Sequence, residues 1–482
     1  MKLHHFSTAT CVAIAATVWI AASSAQDEGS SDLWPVAGHD IQNTRSQPAE
    51  HQINSGNVHL LTLKWVFSAA GNISATPTVF ANAVYFPDWG GRINAVRRDN
   101  GRLIWSHSVS DYDGFAGAVA RDSPAVHGDD LIFGDVESSS ALHNGANLFA
   151  VKRQSGDLRW ITQVEAHPAA VITGPAVVFG DTVYIGVSSR EEFNATQPGY
   201  ACCTFRGSVV ALDANSGQIR WKTYMVPDNG GQTGGYSGAA IWQPPAIDPA
   251  RGLLYIGTGN NYTVPADVLA CAESGKTGCA APNDFFDTAL ALDLRTGEVR
   301  WASRLQGFDV FTVACVLNPS SCPEGTDPDF DLGGSGPNLL PAFVGFGQKS
   351  GIYWALDPDD GHVKWSTVVG PGGTLGGIEW GTATDGQGIY AAISNNSHKP
   401  YTLVPGGQTI TGGSWSRLDA ATGKLVWQTP DPVTNATDQG SMSVANGVVY
   451  AGSTAGSMYA FDAQTGKVLL SFSSGGSVIN VP

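Results

Sequence analysis

LDAATGKLVW, residues 418–427, decides the fold because it is one member of a series. The same ten-residue pattern runs as LDANSGQIRW (212–221), LDLRTGEVRW (292–301) and LDPDDGHVKW (356–365). Shorter copies are DNGRLIW (99–105) and QSGDLRW (154–160), with Arg97 and Lys152 where the leading Asp would stand. FDAQTGKVLL (461–470) closes the series with Leu470 in the tryptophan's place, and NVHLLTLKW (57–65) is a partial copy ending at Trp65. Asp can hydrogen-bond its own turn, and Gly takes positive φ without a Cβ clash. The alternating apolar residues on either side, as in GVVYAGS and SMYAFDA, have the period of β-strands. Each copy is therefore one supersecondary unit that buries its apolar faces against its neighbours.

Seven Gly-x-x-x-Trp/Leu copies plus Trp65 predict an all-β, eight-bladed β-propeller, with the N-terminal segment completing the last blade and closing the ring. The repeat tryptophans read as packing residues that fill the space between blades. Function is then expected where repeats differ. Long insertions fall at 188–206, 260–287 and 309–336, at equivalent points of successive blades, which places them on one face. All six cysteines after Cys11 lie there: Cys202, Cys203, Cys271, Cys279, Cys315 and Cys322. Six cysteines allow 15 pairings. Proximity favours Cys271–Cys279 and Cys315–Cys322, leaving the adjacent Cys202-Cys203.

The chain has 482 residues, of which 59 are glycine and 14 % charged, which suits tightly turned strands. A formal charge of −16 weighs against a nucleic-acid partner. Residues 1–25 read as a signal peptide: Lys2 precedes an apolar run from Cys11 to Ala22, then Ser23-Ser24-Ala25. That run is too short for a membrane span, so residues 26–482 are expected to be one exported propeller domain, secreted or periplasmic. Sequons at Asn72, Asn194, Asn261, Asn395 and Asn435 are candidate glycan sites.

Several segments resemble the quinoprotein alcohol dehydrogenases: WPVAGHDIQNTRSQP, TPTVFANAVYFPDWGGRINAV, ITGPAVVFGDTVYIGVSS, RGLLYIGTGN and GQKSGIYWALD. CCTFRGSVVALD and RLQGFDVFTVAC look most like the polyvinyl-alcohol dehydrogenase branch. The resemblance implies an oxidoreductase that binds pyrroloquinoline quinone (PQQ) and Ca²⁺ at the hub. Trp242 matches the family's floor under the quinone, and stands 18 residues before Asn260, which matches a calcium ligand. Glu191 falls where the carboxylate ligand is carried, with Glu192 as a near-equal alternative. Thr173 and Ser188 match polar contacts to PQQ, and Arg121 a partner of a cofactor carboxylate. Asp309 matches the general base and lies beside the metal, while Lys349 stands for the cation near the quinone oxygens. The Cys202-Cys203 pair would cover the quinone. No Cys-x-x-Cys-His run occurs, so electrons from the alcohol substrate are expected to leave to an external acceptor. The competing expectation is a non-catalytic secreted propeller that binds a protein or glycan on the elaborated face.

Overall fold

The computed structural model describes residues 33–137, 145–318, 329–332, 334 and 336–474. Seven antiparallel sheets, six of four strands and the third of five, follow one another along the chain among the described residues. Their first strands are Thr78–Phe80, Ala125–His127, Val177–Phe179, Ala246–Asp248, Asn338–Leu340, Ala383–Thr384 and Ser443–Ala445, and these line the hub. We number the blades 1 to 7 in that order. The all-β propeller is as expected, but the blade number is seven among the described residues, not eight.

The repeat explains the difference. In blade 3, the Asp213 carboxylate accepts the Asn215 and Ser216 amides at 3.1 and 2.9 Å, and Gly217 closes the turn at φ +72°. A Cβ on Gly217 would lie 2.6 Å from the indole of Trp160, which belongs to blade 2. The same indole nitrogen donates to the Ala214 carbonyl at 2.9 Å. Each tryptophan thus docks on the turn glycine of the following blade, where φ and the flat ring both demand glycine. Trp65 docks in the same way on Gly101 of blade 1 and donates to the Arg98 carbonyl at 2.9 Å, yet no strand is formed around it. It is a docking residue without a blade, and Leu470 at the other end packs in one cluster with Val58 of the N-terminal turn Val58–Leu60.

Nor does the N-terminal segment complete the last blade, whose four strands all come from residues 443–473. Instead it threads the hub. Trp34 exchanges backbone hydrogen bonds with Val79 of blade 1, and Pro35 accepts from Val126 of blade 2. Ile41, Gln42, Thr44 and Arg45 then accept from Ile247, Leu339, Thr384 and Val444 of blades 4 to 7. Blade 3 is met by Val36, packed in the same cluster as Ala176 and Val177.

Trp427→Ala should show what the docking contributes. Its ring is 4 % exposed and its Nε1 donates to the Ala463 carbonyl at 3.1 Å. Removing a buried tryptophan costs about 3–5 kcal/mol, so the thermal unfolding midpoint should fall by several degrees without change in the strand signal of circular dichroism.

Cys271–Cys279 and Cys202–Cys203 are disulfides, and Cys315 is also disulfide-bonded; Cys322 lies outside the described residues. Of the sequons, Asn194, Asn261 and Asn395 are buried, so Asn72 and Asn435 are the two left accessible. The signal-peptide reading also falls outside the described residues.

Candidate active site at the hub

The elaborated face carries a cluster of buried acids around one ammonium. Lys349, just after the second strand of blade 5 (Phe343–Gly347), donates to both carboxylate oxygens of Asp329 at 3.0 Å and to Asp331 Oδ2 at 3.3 Å. Asp331 also accepts the Asn260 amide at 2.6 Å and the Trp242 indole nitrogen at 3.2 Å. The ammonium lies 5.1 Å from the Trp242 ring centroid, a cation–π contact. Asn260 follows the second strand of blade 4 (Leu253–Gly257), and its side-chain nitrogen is held by the Asn261 and Phe311 carbonyls at 2.7 and 2.8 Å. Asp309 is fully buried between blades 4 and 5, and its Oδ2 accepts the Phe330 amide at 2.8 Å.

Six carboxylates interact here, from Glu192, Asp287, Asp309, Asp329, Asp331 and Glu379, against the single charge of Lys349. The electrostatics follow. Burial alone would lower the Lys349 pKa, but Asp329, Asp331, Glu379 and Glu192 outweigh it and raise it. Burial, then repulsion from Asp331, pushes Glu192 and Glu379 up to about 7, with Lys349 opposing. Asp287 is raised by burial and then by Asp309, which it faces.

Beside this cluster lies a cavity of about 260 Å³. Trp242, Trp380, Arg121, Thr173 and Arg45 line it. Trp242 and Trp380 meet edge to face with centroids 4.9 Å apart, and Arg121 stacks over Trp380 at 5.4 Å and Trp89 at 5.6 Å. The Thr173 hydroxyl is buried with no hydrogen-bond partner among the described residues. Trp242 is thus a wall shared by a polar cavity and a bed of hard oxygen donors.

Trp242, Asn260, Asp309 and Lys349 are brought together in or beside the acid cluster, and Arg121 and Thr173 join Trp242 around the cavity. Glu191 is not part of that arrangement. Its carboxylate is consumed by the Thr204 amide at 2.9 Å, the Phe205 amide at 2.7 Å and the Tyr200 hydroxyl at 3.2 Å. Glu192 is the one that faces Lys349 and Asp331. Cys202 and Cys203 are bonded to each other in the loop that Glu191 anchors, and neither they nor Ser188 are among the residues lining the cavity. Ser188 is buried on the long second strand of blade 3 (Thr182–Ser189), opposite Val171. Asp329 and Asp331 had no place in the sequence reading, although Asp329-Phe330-Asp331 stands inside one of the three insertions.

Comparison with known proteins decides the family. The family described as glucose/ethanol/alcohol dehydrogenase, β-propeller domain, with PQQ as its short name, matches residues 34–319. The chain belongs to the PQQ-dependent alcohol dehydrogenase propellers. Within this quinoprotein family, a polyvinylalcohol dehydrogenase of Pseudomonas sp. is 32 % identical over 92 % of the chain and 68 % of the relative. A polyvinylalcohol dehydrogenase of Sphingopyxis sp. is 30 % identical over 92 % of the chain and 67 % of the relative. The quinohemoprotein alcohol dehydrogenase of Comamonas testosteroni superposes with a TM-score of 0.68 at 17 % identity, covering 92 % of this quinoprotein and 73 % of that chain, a likeness of fold. A second family, outer membrane protein assembly factor BamB, matches residues 205–474, where the blade repeats are most regular.

Proposed function

We propose that this protein is an exported dehydrogenase of alcohols, secondary and polymeric ones included, working with PQQ in the Trp242 cavity and Ca²⁺ among the neighbouring carboxylates. The observation that carries this reading is the crowding of six interacting carboxyl groups, five of them buried and Glu192 part-buried, around a single ammonium, a bed of hard oxygens that suits calcium. When bound, PQQ supplies the hydride acceptor and Ca²⁺ polarises its reacting carbonyl.

The chain's own residues do the rest. Asp309 takes the hydroxyl proton of the alcohol, its Oδ2 held in place by the Phe330 amide. Asn260 and Glu192 are the proposed metal ligands, Glu192 in place of Glu191. Lys349 holds positive charge where negative charge develops, and Trp242 presents a flat face for a flat ring. Arg121 and the unpartnered Thr173 hydroxyl hold a cofactor carboxylate. Electrons leave to an external acceptor, and the mature protein starts after the leader. Among the described residues no helix is long and apolar enough to cross a membrane.

Reconstitution tests the reading. Purified mature protein with PQQ and Ca²⁺ should take up the quinone, seen by its absorbance, and oxidise alcohols with a dye acceptor. No uptake at micromolar PQQ would sink it and favour the second reading, a binding propeller, which the BamB match supports. The two glutamates should separate cleanly. Glu191→Gln should destabilise the fold by roughly 1–3 kcal/mol, because it weakens bonds from two buried amides, with calcium affinity within a few-fold. Glu192→Gln should weaken calcium at least tenfold while the metal-free protein melts no lower. Calorimetric titration with calcium, alongside thermal melts, distinguishes the two.

A further inference from the structure

Among the described residues, Arg45 is a buried cation without an anion. Its side chain lines the cavity, and the residue is 7 % exposed. One amino nitrogen reaches the Thr76 hydroxyl at 3.4 Å, while its Nε is buried with no hydrogen-bond partner among the described residues. Burial holds its pKa down to about 10, with no acidic neighbour raising it. The backbone carrying it is held at φ +49°, a region L residues rarely adopt, so the thread bends sharply at the residue that enters the cavity. Gly381 makes room for it: a Cβ there would lie 2.2 Å from the Arg45 Nε.

Arg121 reaches the same cavity from the crossing between blades 1 and 2. The one acid among the lining residues, Asp122, turns its carboxylate to the Gly134 amide, at 3.0 and 3.2 Å. Two guanidinium groups therefore share a chamber with hydroxyls, amides and two indoles, in a chain whose net charge is −16. A planar fork of donors suits a carboxylate, and a buried one left unpaired is costly. Such a chamber fits a flat molecule carrying anionic groups on more than one edge.

We infer that Arg45 is a second carboxylate-binding residue of the cofactor cavity, so that with Arg121 the protein grips a flat polycarboxylate at two separate edges. This rests on the reading that PQQ, a flat tricarboxylate, is the cavity's ligand. Arg45 is a positioning residue for the bound ligand and takes no part in the proton step. It also makes the hub thread part of the binding site, since the guanidinium belongs to the residue whose carbonyl accepts from Val444 of blade 7.

The test reads binding, not turnover. PQQ is titrated into the full mature protein with tryptophan fluorescence as the signal. Arg45→Met should bind PQQ at least tenfold more weakly than wild type, and Arg45→Lys should recover part of the loss. With PQQ trimethyl ester, which keeps the rings and lacks the charges, wild type and Arg45→Met should bind alike. Should Arg45→Met not fold, wild-type protein labelled with ¹⁵N-arginine decides. PQQ should then move two Nε–H resonances, Arg45's (identified with Arg45→Lys) and Arg121's. PQQ uptake by wild type with equal affinity in Arg45→Met, or with only the Arg121 resonance moving, overturns this inference and leaves the cofactor reading intact. No PQQ uptake by wild type overturns both.

Discussion

Asp309→Asn is expected to lower the turnover of PQQ- and calcium-loaded protein by roughly 10²–10⁴-fold, the usual contribution of a positioned base. PQQ uptake should persist, which separates this variant from one that loses the cofactor. Asparagine keeps the shape and can still accept the Phe330 amide that holds Asp309 Oδ2 at 2.8 Å. It cannot take a proton at neutral pH. Asp309 is fully buried, so water is a poor substitute base there. Stopped-flow bleaching of the oxidised quinone by alcohol would measure the step directly. Wild-type turnover in the variant would move the role elsewhere, and Asp287, which faces Asp309, is the next carboxylate to test.

The acid cluster should make the metal-free protein sensitive to pH in an unusual direction. Glu192 and Glu379 titrate near 4.5 in an unfolded chain, but burial keeps them protonated up to about 7 in the fold. Between these values the native state binds more protons than the unfolded state, so stability falls as pH rises from 4.5 to 7 and levels off above. One such group contributes about 3 kcal/mol across that window. Buried Asp284, also pushed up to about 7 by burial with Asn261 opposing, adds a slope of the same sign. Calcium should cancel much of the loss near pH 7, because it takes the place of the displaced protons. Melting curves in EDTA and in calcium, from pH 4.5 to 7.5, measure both effects. A metal-free protein that grows more stable over that range would contradict the arrangement of charges described.

The repeats were legible because their physics is local. A turn glycine, a capping Asp and a tryptophan at fixed spacing specify a hairpin and a docking contact, and each such contact is found. Counting them as blades failed at Trp65, since docking needs only one ring on one glycine, while a blade needs four paired strands. The choice between Glu191 and Glu192 could not be read from spacing. Adjacent residues at the start of a short helix point in different directions, and the Thr204 and Phe205 amides claim the first of them. Asp329 and Asp331 escaped notice because a loop's path into the hub depends on tertiary contacts, here the hydrogen bonds of Asp331 with Asn260, Trp242 and Lys349. Arg45 looked like part of an opening signature, and only the threaded hub makes it a wall of the cavity.

That threaded hub also bears on the order of assembly. Asn446 donates to the Ile53 carbonyl across 393 residues of chain, and closing a loop of that length costs about 5 kcal/mol in chain entropy. The blades themselves are built from neighbouring hairpins and can form early and separately. The segment made first by the ribosome is therefore the last to find its partners, because the carbonyls of Pro35, Ile41, Gln42, Thr44 and Arg45 each wait for a different blade. Once in place it links the first sheet to the last, so loss of the thread from Trp34 to Arg45 would loosen the whole circle at once.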